Sequence, residues 1–270
     1  MKNRDTVLTK PKAFAASFAR AGARAIALIG RSAENLKETE DLILKINANT
    51  VVLSIALDVT EPVAVNKAFE EIQQKLGTPQ VLVNNAGSLA PLLPIVDSDV
   101  DSWWGSQEVN LKGLFNTTKA FLKLTGANPE RPTTILNLTS VACLANPPGF
   151  SAYSMSKLAL MRFTAFLAVE HPSITSVSLD PGIVPTDMAF NVPFLAPFMR
   201  DTPELVGGTA VWLATDDKRF LSGRKLSVNW DVEEVERRKD EIVSGDLLTM
   251  VLKGDFGVPN AVVRNSGPGA

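Results

Sequence analysis

Short apolar runs alternate with amphipathic segments along most of this chain, and this alternation restricts the fold more than any other sequence feature. Runs rich in apolar and β-branched residues predict buried strands at 6–9, 25–29, 51–57, 80–83, 133–139, 174–179 and 225–228. Helical patterns separate them at 12–21, 33–46, 61–76, 99–124, 151–170 and 203–215. Such alternation predicts an α/β fold, with a doubly wound parallel sheet, right-handed crossovers and helices on both faces.

No internal repeat and no linker divides this pattern. We expect a single domain over residues 1–230, followed by a C-terminal extension over 231–270. The charged stretch 231–253 predicts one or two appended helices. The last residues, 254–270, are rich in Pro, Gly, Asn and Ser and predict a loosely held tail.

Composition excludes several classes of protein. The net charge is −2 without a long run of one sign, so we expect neither nucleic acid nor a membrane surface as a partner. The chain has one cysteine and one histidine, which rules out an internal disulfide and a zinc site built from Cys and His ligands. We expect no Ser-His-Asp triad, because the lone histidine lies at a predicted helix end. We expect Cys143 to be a small buried core residue and His171 to cap the C-terminus of a helix or lie at the surface. We expect a cytoplasmic protein, because no signal-peptide core or membrane-spanning run is present.

Polar residues with complementary chemistry surround the fifth predicted strand. Ser140 follows that strand at its carboxyl end, the edge where open α/β sheets place ligands. Residues 146–149 break regular structure, and Ser151 is expected to cap the next helix. Tyr153 and Lys157 are four residues apart and therefore share one face of that helix. A hydroxyl, a phenol and an ammonium are predicted to converge.

This group suits proton transfer coupled to hydride transfer. A free tyrosine has a pKa of about 10, and we expect the Lys157 ammonium to lower the pKa of Tyr153. The Ser140 hydroxyl can stabilise charge on a substrate oxygen. A hydride carrier is implied, since none of these groups carries out a redox reaction alone. A Tyr-x-x-x-Lys pair by itself is a weak signal; the upstream serine strengthens it.

Several motifs stand together in order over residues 6–230, and the chain resembles the short-chain dehydrogenase/reductase family with its Rossmann-like fold. They are Asp58-Val59, Asn84-Asn85-Ala86-Gly87, Asn110 within Val-Asn-Leu, Ser140, Tyr153-x-x-x-Lys157 and Pro181-Gly182 followed by Ile183 and Thr186. The resemblance implies a tetrad in which Tyr153 exchanges the proton and Ser140 polarises the substrate oxygen. Lys157 would lower the tyrosine pKa and hold the nicotinamide ribose, and Asn110 would hold a water on a proton path.

The resemblance also implies where a dinucleotide lies. Asp58 and Val59 would meet the adenine. Residues of the two turns would flank the rest of the cofactor, namely Asn85, Ala86, Gly87, Pro181, Gly182, Ile183 and Thr186.

Arg31 sits in Gly-Arg-Ser directly after the second predicted strand. An acid at this place would bind a ribose 2′-hydroxyl and select NAD, whereas an arginine can pair with a 2′-phosphate. We therefore expect NADP; the alternative is a solvated surface arginine.

The family's glycine-rich turn is missing. Between the first strand and first helix the chain reads Thr-Lys-Pro-Lys-Ala-Phe, without a glycine before Gly22. Lys10 and Lys12 can supply charge there but not a close backbone approach to a pyrophosphate. Three interpretations fit: a shortened version of an ordinary reductase, a weak NADP site, or a protein that has lost the cofactor and performs redox-neutral chemistry such as isomerisation, dehydration or cyclisation.

The segment 188–199 is apolar, and in the family this position covers the substrate. It predicts a mobile cover over a small hydrophobic carbonyl or alcohol, with ordinary core or subunit packing as the alternative. The resemblance further implies a homodimer or homotetramer built on the long helices and the last strand. The extension resembles those of fungal secondary-metabolism members.

Overall fold

A computed structural model describes residues 5–9, 12–126 and 132–251. Within them, a parallel seven-stranded sheet has the order β3-β2-β1-β4-β5-β6-β7. Its strands are β1 Asp5–Thr9, β2 Ala25–Gly30, β3 Val51–Ala56, β4 Val81–Asn84, β5 Thr133–Leu138, β6 Ile174–Asp180 and β7 Lys225–Ser227. The strand order reverses between β1 and β4, which is the crevice where doubly wound sheets bind ligands. The predicted α/β fold is confirmed.

Helices flank both faces of this sheet. They are α1 Lys12–Arg20, α2 Ala33–Ile46, α3 Pro62–Leu76, α4 Val100–Gln107, α5 Leu114–Thr125, α6 Ser151–Glu170, α7 Asp187–Phe190, α8 Pro203–Leu213, α9 Val232–Arg237 and α10 Lys239–Ser244. None of the described helices is both long enough and apolar enough to cross a bilayer.

Two apolar clusters form the core, one on each face of the sheet. Successive residues of β2 enter opposite clusters: Ile26 and Leu28 pack with α1 and α8, whereas Ala27 and Ile29 pack with α3 and α5. This is the period of two that a strand imposes on its side chains. Strands β2, β4, β5 and β6 are buried almost throughout, as expected for inner strands of a parallel sheet with helices on both faces.

Three local expectations are wrong. Strand β3 lies at the edge of the sheet, so most of its side chains are only partly buried, and Val51 is exposed. The predicted helix 99–124 is interrupted by a π-helical turn, Glu108–Gly113. Helix α6 is preceded by Phe150 as its N-cap, without a side-chain cap. The Ser151 hydroxyl instead accepts a hydrogen bond from Trp103 Nε1 at 3.1 Å.

The C-terminal extension packs onto the sheet. Val235 of α9 and Ile242 of α10 are buried in the cluster formed with α1 and α8. The backbone N–H of Lys225 in β7 donates to the carbonyl oxygen of Leu248 at 2.9 Å. Segment 246–249 therefore lies along the outer edge of β7. The predicted tail 254–270 is outside the described residues.

Candidate active site

Ser140, Tyr153 and Lys157 come together at the carboxyl end of β5. Ser140 is the first residue beyond that strand, and its Oγ accepts the backbone N–H of Ala142 at 3.2 Å, which fixes the start of a 3-10 turn. The Ser140 hydroxyl lies near enough to the Tyr153 phenol to act on its pKa, in the lowering direction. Helix α6 carries Tyr153 and Lys157 on one face, and the Lys157 Nζ lies 5.6 Å from the centre of the phenol ring. The sequence-predicted convergence is present.

Lys157 is buried beneath this group with only 4% of its surface exposed. Its Nζ donates to the carbonyl oxygen of Leu138, the last residue of β5, at 2.7 Å. Burial disfavours the ammonium form and lowers the pKa of Lys157 to about 8. The side chain thus ties helix α6 to the strand end that presents Ser140.

The expected decrease in the pKa of Tyr153 is wrong for this structure. Burial raises the pKa of Tyr153 to about 12, and the hydrogen bond from Ser140 offsets only part of that effect. The negative charge of Asp180 also raises it. The Lys157 ammonium donates to the Leu138 carbonyl oxygen, and desolvation of the phenol is the largest influence on the pKa of Tyr153.

Asn110 lies in the π-helical turn and is buried. Its side chain makes three hydrogen bonds: Oδ1 accepts from the Ser88 N–H at 2.7 Å, and Nδ2 donates to the Ser88 carbonyl oxygen at 2.9 Å and to Ser156 Oγ at 2.8 Å. These contacts clamp the loop after β4 onto α6. Sequence reasoning missed Ser88 and Ser156; the available signals were their positions directly after Asn-Asn-Ala-Gly and one residue before Lys157.

Gly87 allows a close approach next to the tetrad. A Cβ atom at this position would lie 3.6 Å from Asn110 Oδ1 and 3.8 Å from Lys157 Nζ. The glycine therefore leaves space directly beside the lysine ammonium. Its neighbours Asn85 and Ala86 follow β4 in the same loop, and Ala86 lines a small cavity shared with Val59 and Asn110.

The residues predicted to contact the adenosine half of the cofactor lie just after the ends of β2 and β3. Asp58 accepts the Thr60 N–H at 2.9 Å, and this hydrogen bond, with smaller effects from the charges of Arg31 and Lys112, lowers the pKa of Asp58. Arg31 is exposed after β2. Val59 is buried against the π-helical turn. Arg31 and Asp58 are thus close enough to interact electrostatically.

The turn after β6 carries the remaining predicted residues. Gly182 has φ +69°, a left-handed conformation that favours glycine. The Ile183 N–H donates to Asp201 Oδ2 at 2.7 Å. Thr186 is exposed, and its Oγ1 accepts the Ala189 N–H at 3.3 Å. Pro181 precedes this turn at the end of β6. Asp201 was missed by the sequence reasoning, since Asp-Thr-Pro before a helix indicates only a cap.

The residues present fit the two ends of a dinucleotide better than its centre. The space beside Gly87 suits a closely approaching ring. The turn at Gly182 carries two backbone N–H groups of the kind that bind an amide, and in this structure they donate to Asp180 and Asp201. Strand β1 ends at Thr9 and α1 begins at Lys12, so the connecting turn has no glycine. The Lys12 ammonium forms an ion pair with Glu38. Lys10 and Pro11 are outside the described residues.

The apolar segment 188–199 contacts the start of α6. Phe194 packs edge-on against Phe150, the N-cap of α6, with ring centres 5.8 Å apart. Val192 is buried, whereas Phe190 and Phe198 are largely exposed. The segment is therefore partly anchored, and some of its apolar side chains are left open to solvent.

Comparisons with known proteins agree with this geometry. The family described as short chain dehydrogenase matches residues 11–193. The short chain dehydrogenase mpl6 of Monascus purpureus is 38% identical over 244 residues, covering 88% of this chain and 83% of the relative. The short chain dehydrogenase andI of Emericella variicolor is 32% identical over 253 residues, covering 90% and 85%. Among solved structures, the KRED1-Pglu enzyme has a TM-score of 0.71 and 28% identity, over 83% of this chain and all of that one.

Proposed function

This chain belongs to the short-chain dehydrogenase/reductase family, and we propose that it is an NADP-dependent enzyme that interconverts a carbonyl and a secondary alcohol on a small hydrophobic molecule. Members of the family are oxidoreductases that use nicotinamide nucleotides. The observation that carries the proposal is the convergence of Ser140, Tyr153 and the buried ammonium of Lys157 at the carboxyl end of β5.

In this proposal Tyr153 is the general acid of the reduction and the general base of the reverse reaction. A phenol with a pKa of about 12 is protonated at neutral pH, which supports a role as a proton donor to a substrate carbonyl oxygen. The Ser140 hydroxyl donates a hydrogen bond to the same oxygen and stabilises its developing charge. When bound, the nicotinamide nucleotide supplies or accepts the hydride.

Lys157 and Asn110 position this machinery. The lysine anchors α6 to the end of β5, and its positive charge favours the phenolate that remains after proton donation. Asn110 fixes the loop that contains Gly87 through Ser88. We propose that the backbone of this loop, together with Lys157, holds the nicotinamide ribose.

The choice of NADP over NAD rests on Arg31. Its exposed guanidinium follows β2, where a carboxylate would be required to bind a ribose 2′-hydroxyl. We expect Arg31→Ala to weaken binding of NADPH about tenfold or more while leaving NADH binding unchanged, because only the phosphate contact is lost. Equal loss for both nucleotides would contradict this role. Fluorescence titration of each nucleotide measures it.

A redox-neutral reaction on the same scaffold is the second candidate. The glycine-free turn between β1 and α1 favours it, since such a turn lacks the close backbone approach to a pyrophosphate. The tetrad residues favour the reductase. Saturable NADPH binding supports the first candidate, and its absence up to millimolar concentration supports the second.

The substrate side is apolar, with Phe190, Phe194 and Phe198 near the catalytic helix. This supports a hydrophobic, aromatic or polycyclic substrate. A place in fungal secondary metabolism is proposed from the resemblance of the C-terminal extension to those of fungal secondary-metabolism members. A homodimer or homotetramer is proposed from the exposed apolar residues Phe115 of α5 and Phe166 of α6, and sedimentation velocity tests it. Cytoplasmic location stays a prediction.

The decisive experiment is the Tyr153→Phe variant. We expect it to bind NADPH like the wild type but to lose at least about a hundredfold of its rate with a panel of aromatic ketones, because the acidic hydroxyl is removed. The far-UV circular dichroism spectrum controls for the fold. A fully active, correctly folded variant refutes the assignment of Tyr153.

A further inference from the structure

Asp201 lies just beyond the apolar segment and reaches back to the turn after β6. Its Oδ2 accepts the Ile183 N–H at 2.7 Å, and its Oδ1 accepts a hydrogen bond from Asn229 Nδ2 at 2.5 Å. A Cβ atom on Gly182 would lie only 2.2 Å from Oδ2, so the carboxylate rests directly on that glycine. Three separate segments therefore meet at one carboxylate.

Both backbone donors of the turn are occupied by the protein itself. The Gly182 N–H donates to Asp180 Oδ1 at 3.3 Å, and Asp180 in turn pairs with Lys225 at 2.8 Å in a buried ion pair. The Ile183 N–H is held by Asp201. A ligand amide that uses the Ile183 N–H must first displace a charged acceptor, which forms stronger hydrogen bonds than a neutral carbonyl.

Asn229 supports the Asp201 carboxylate from a third segment. It follows β7, and its side chain fixes the second oxygen of Asp201, so the carboxylate is held from two sides. The same contact also ties the end of segment 188–199, which covers the substrate side, to the sheet.

We propose that Asp201 and Asn229 form a latch that determines the affinity of the site for the nicotinamide half of its cofactor, by competing for the Ile183 N–H. The inference rests on the proposed function. In the latched form the turn is closed to the ligand amide; release of Asp201 opens the donor and frees segment 188–199 at the same time.

The test compares two ligands on the same variants. NADPH carries the nicotinamide, and 2′-phosphoadenosine 5′-diphosphoribose lacks it. For Asp201→Ala we expect about tenfold tighter binding of NADPH and unchanged binding of the fragment, because only the nicotinamide end competes with the latch. Asn229→Ala is expected to shift NADPH binding in the same direction by less, since it removes one of the two supports. Asp240→Ala, at an exposed aspartate of α10, is the matched control.

A second measurement does not depend on any ligand. Hydrogen–deuterium exchange of peptides covering 182–200 is expected to accelerate in Asp201→Ala, because the Ile183 N–H loses its acceptor and the segment loses its tether. Weaker or unchanged NADPH binding in Asp201→Ala, with the fragment still bound, overturns the latch but leaves the proposed function in place. Failure of both ligands to bind every protein overturns the proposed function and the latch with it.

Discussion

Replacing the buried Lys157 with methionine is expected to remove a pH dependence of folding stability. The pKa of this lysine falls from 10.5 to about 8 in the folded chain because burial disfavours its charge. Such a decrease corresponds to roughly 3 kcal/mol of free energy that opposes folding while the lysine is protonated in both states. Methionine is similar in length and carries no charge.

The sign follows from the protons bound in each state. Between pH 8 and 10.5 the unfolded chain keeps the Lys157 proton that the folded chain has released, so the free energy of unfolding rises with pH. Below pH 8 Lys157 is protonated in both the folded and the unfolded state, so the full free energy that opposes folding remains. The pKa of Tyr153 is raised to about 12, so above pH 10 this phenol has the opposite effect. The useful window is therefore pH 7.5 to 9.5, where the rise due to Lys157 should reach about 2 kcal/mol.

Urea unfolding followed by tryptophan fluorescence, at constant ionic strength, measures this effect. The free energy of unfolding of the wild type, minus that of Lys157→Met, should rise steadily across the window by about 2 kcal/mol. Loss of the hydrogen bond to Leu138 adds an offset that does not vary with pH. Lys239→Met, at an exposed lysine, is the control and should run parallel to the wild type. A constant difference between wild type and Lys157→Met would refute the reasoning.

Two further substitutions test the packing that supports the site. Ile242→Ala should lower the free energy of unfolding by about 2–5 kcal/mol, because Ile242 is buried with 4% of its surface exposed. Val243 is 53% exposed, so Val243→Ala should have almost no effect in the same urea titration. Asn137→Leu should lower the free energy of unfolding by about 1–3 kcal/mol, because two buried hydrogen bonds are lost. Asn137 Oδ1 accepts from Asn84 Nδ2, and Asn137 Nδ2 donates to Thr164 Oγ1. Unchanged thermal unfolding would show that these groups find other partners.

The sequence predicted the elements whose signals are local. Helix α2 has the predicted bounds 33–46, and Ser151–Glu170 forms the catalytic helix. The convergence of Ser140, Tyr153 and Lys157 followed from helix periodicity and from the rule that ligand sites lie at carboxyl strand ends. His171 caps α6, as expected.

What the sequence did not predict depends on tertiary contacts. The π-helical turn arises where Asn110 bonds to Ser88, and its pattern looks like ordinary helix. The pKa of Tyr153 depends on how deeply the phenol is buried, which spacing does not reveal. The contacts of Asp201 join residues distant in the sequence, so no local pattern points to them.

The backbone hydrogen bond between Lys225 and Leu248 bears on whether the chain tolerates truncation at its C-terminus. An unpaired outer strand is a template onto which another extended chain can add. Ending the polypeptide at residue 230 would uncover the β7 backbone and also remove Val235 and Ile242 from the core. We expect such a truncated protein to polymerise or precipitate, because the segment after α10 covers the outer edge of β7.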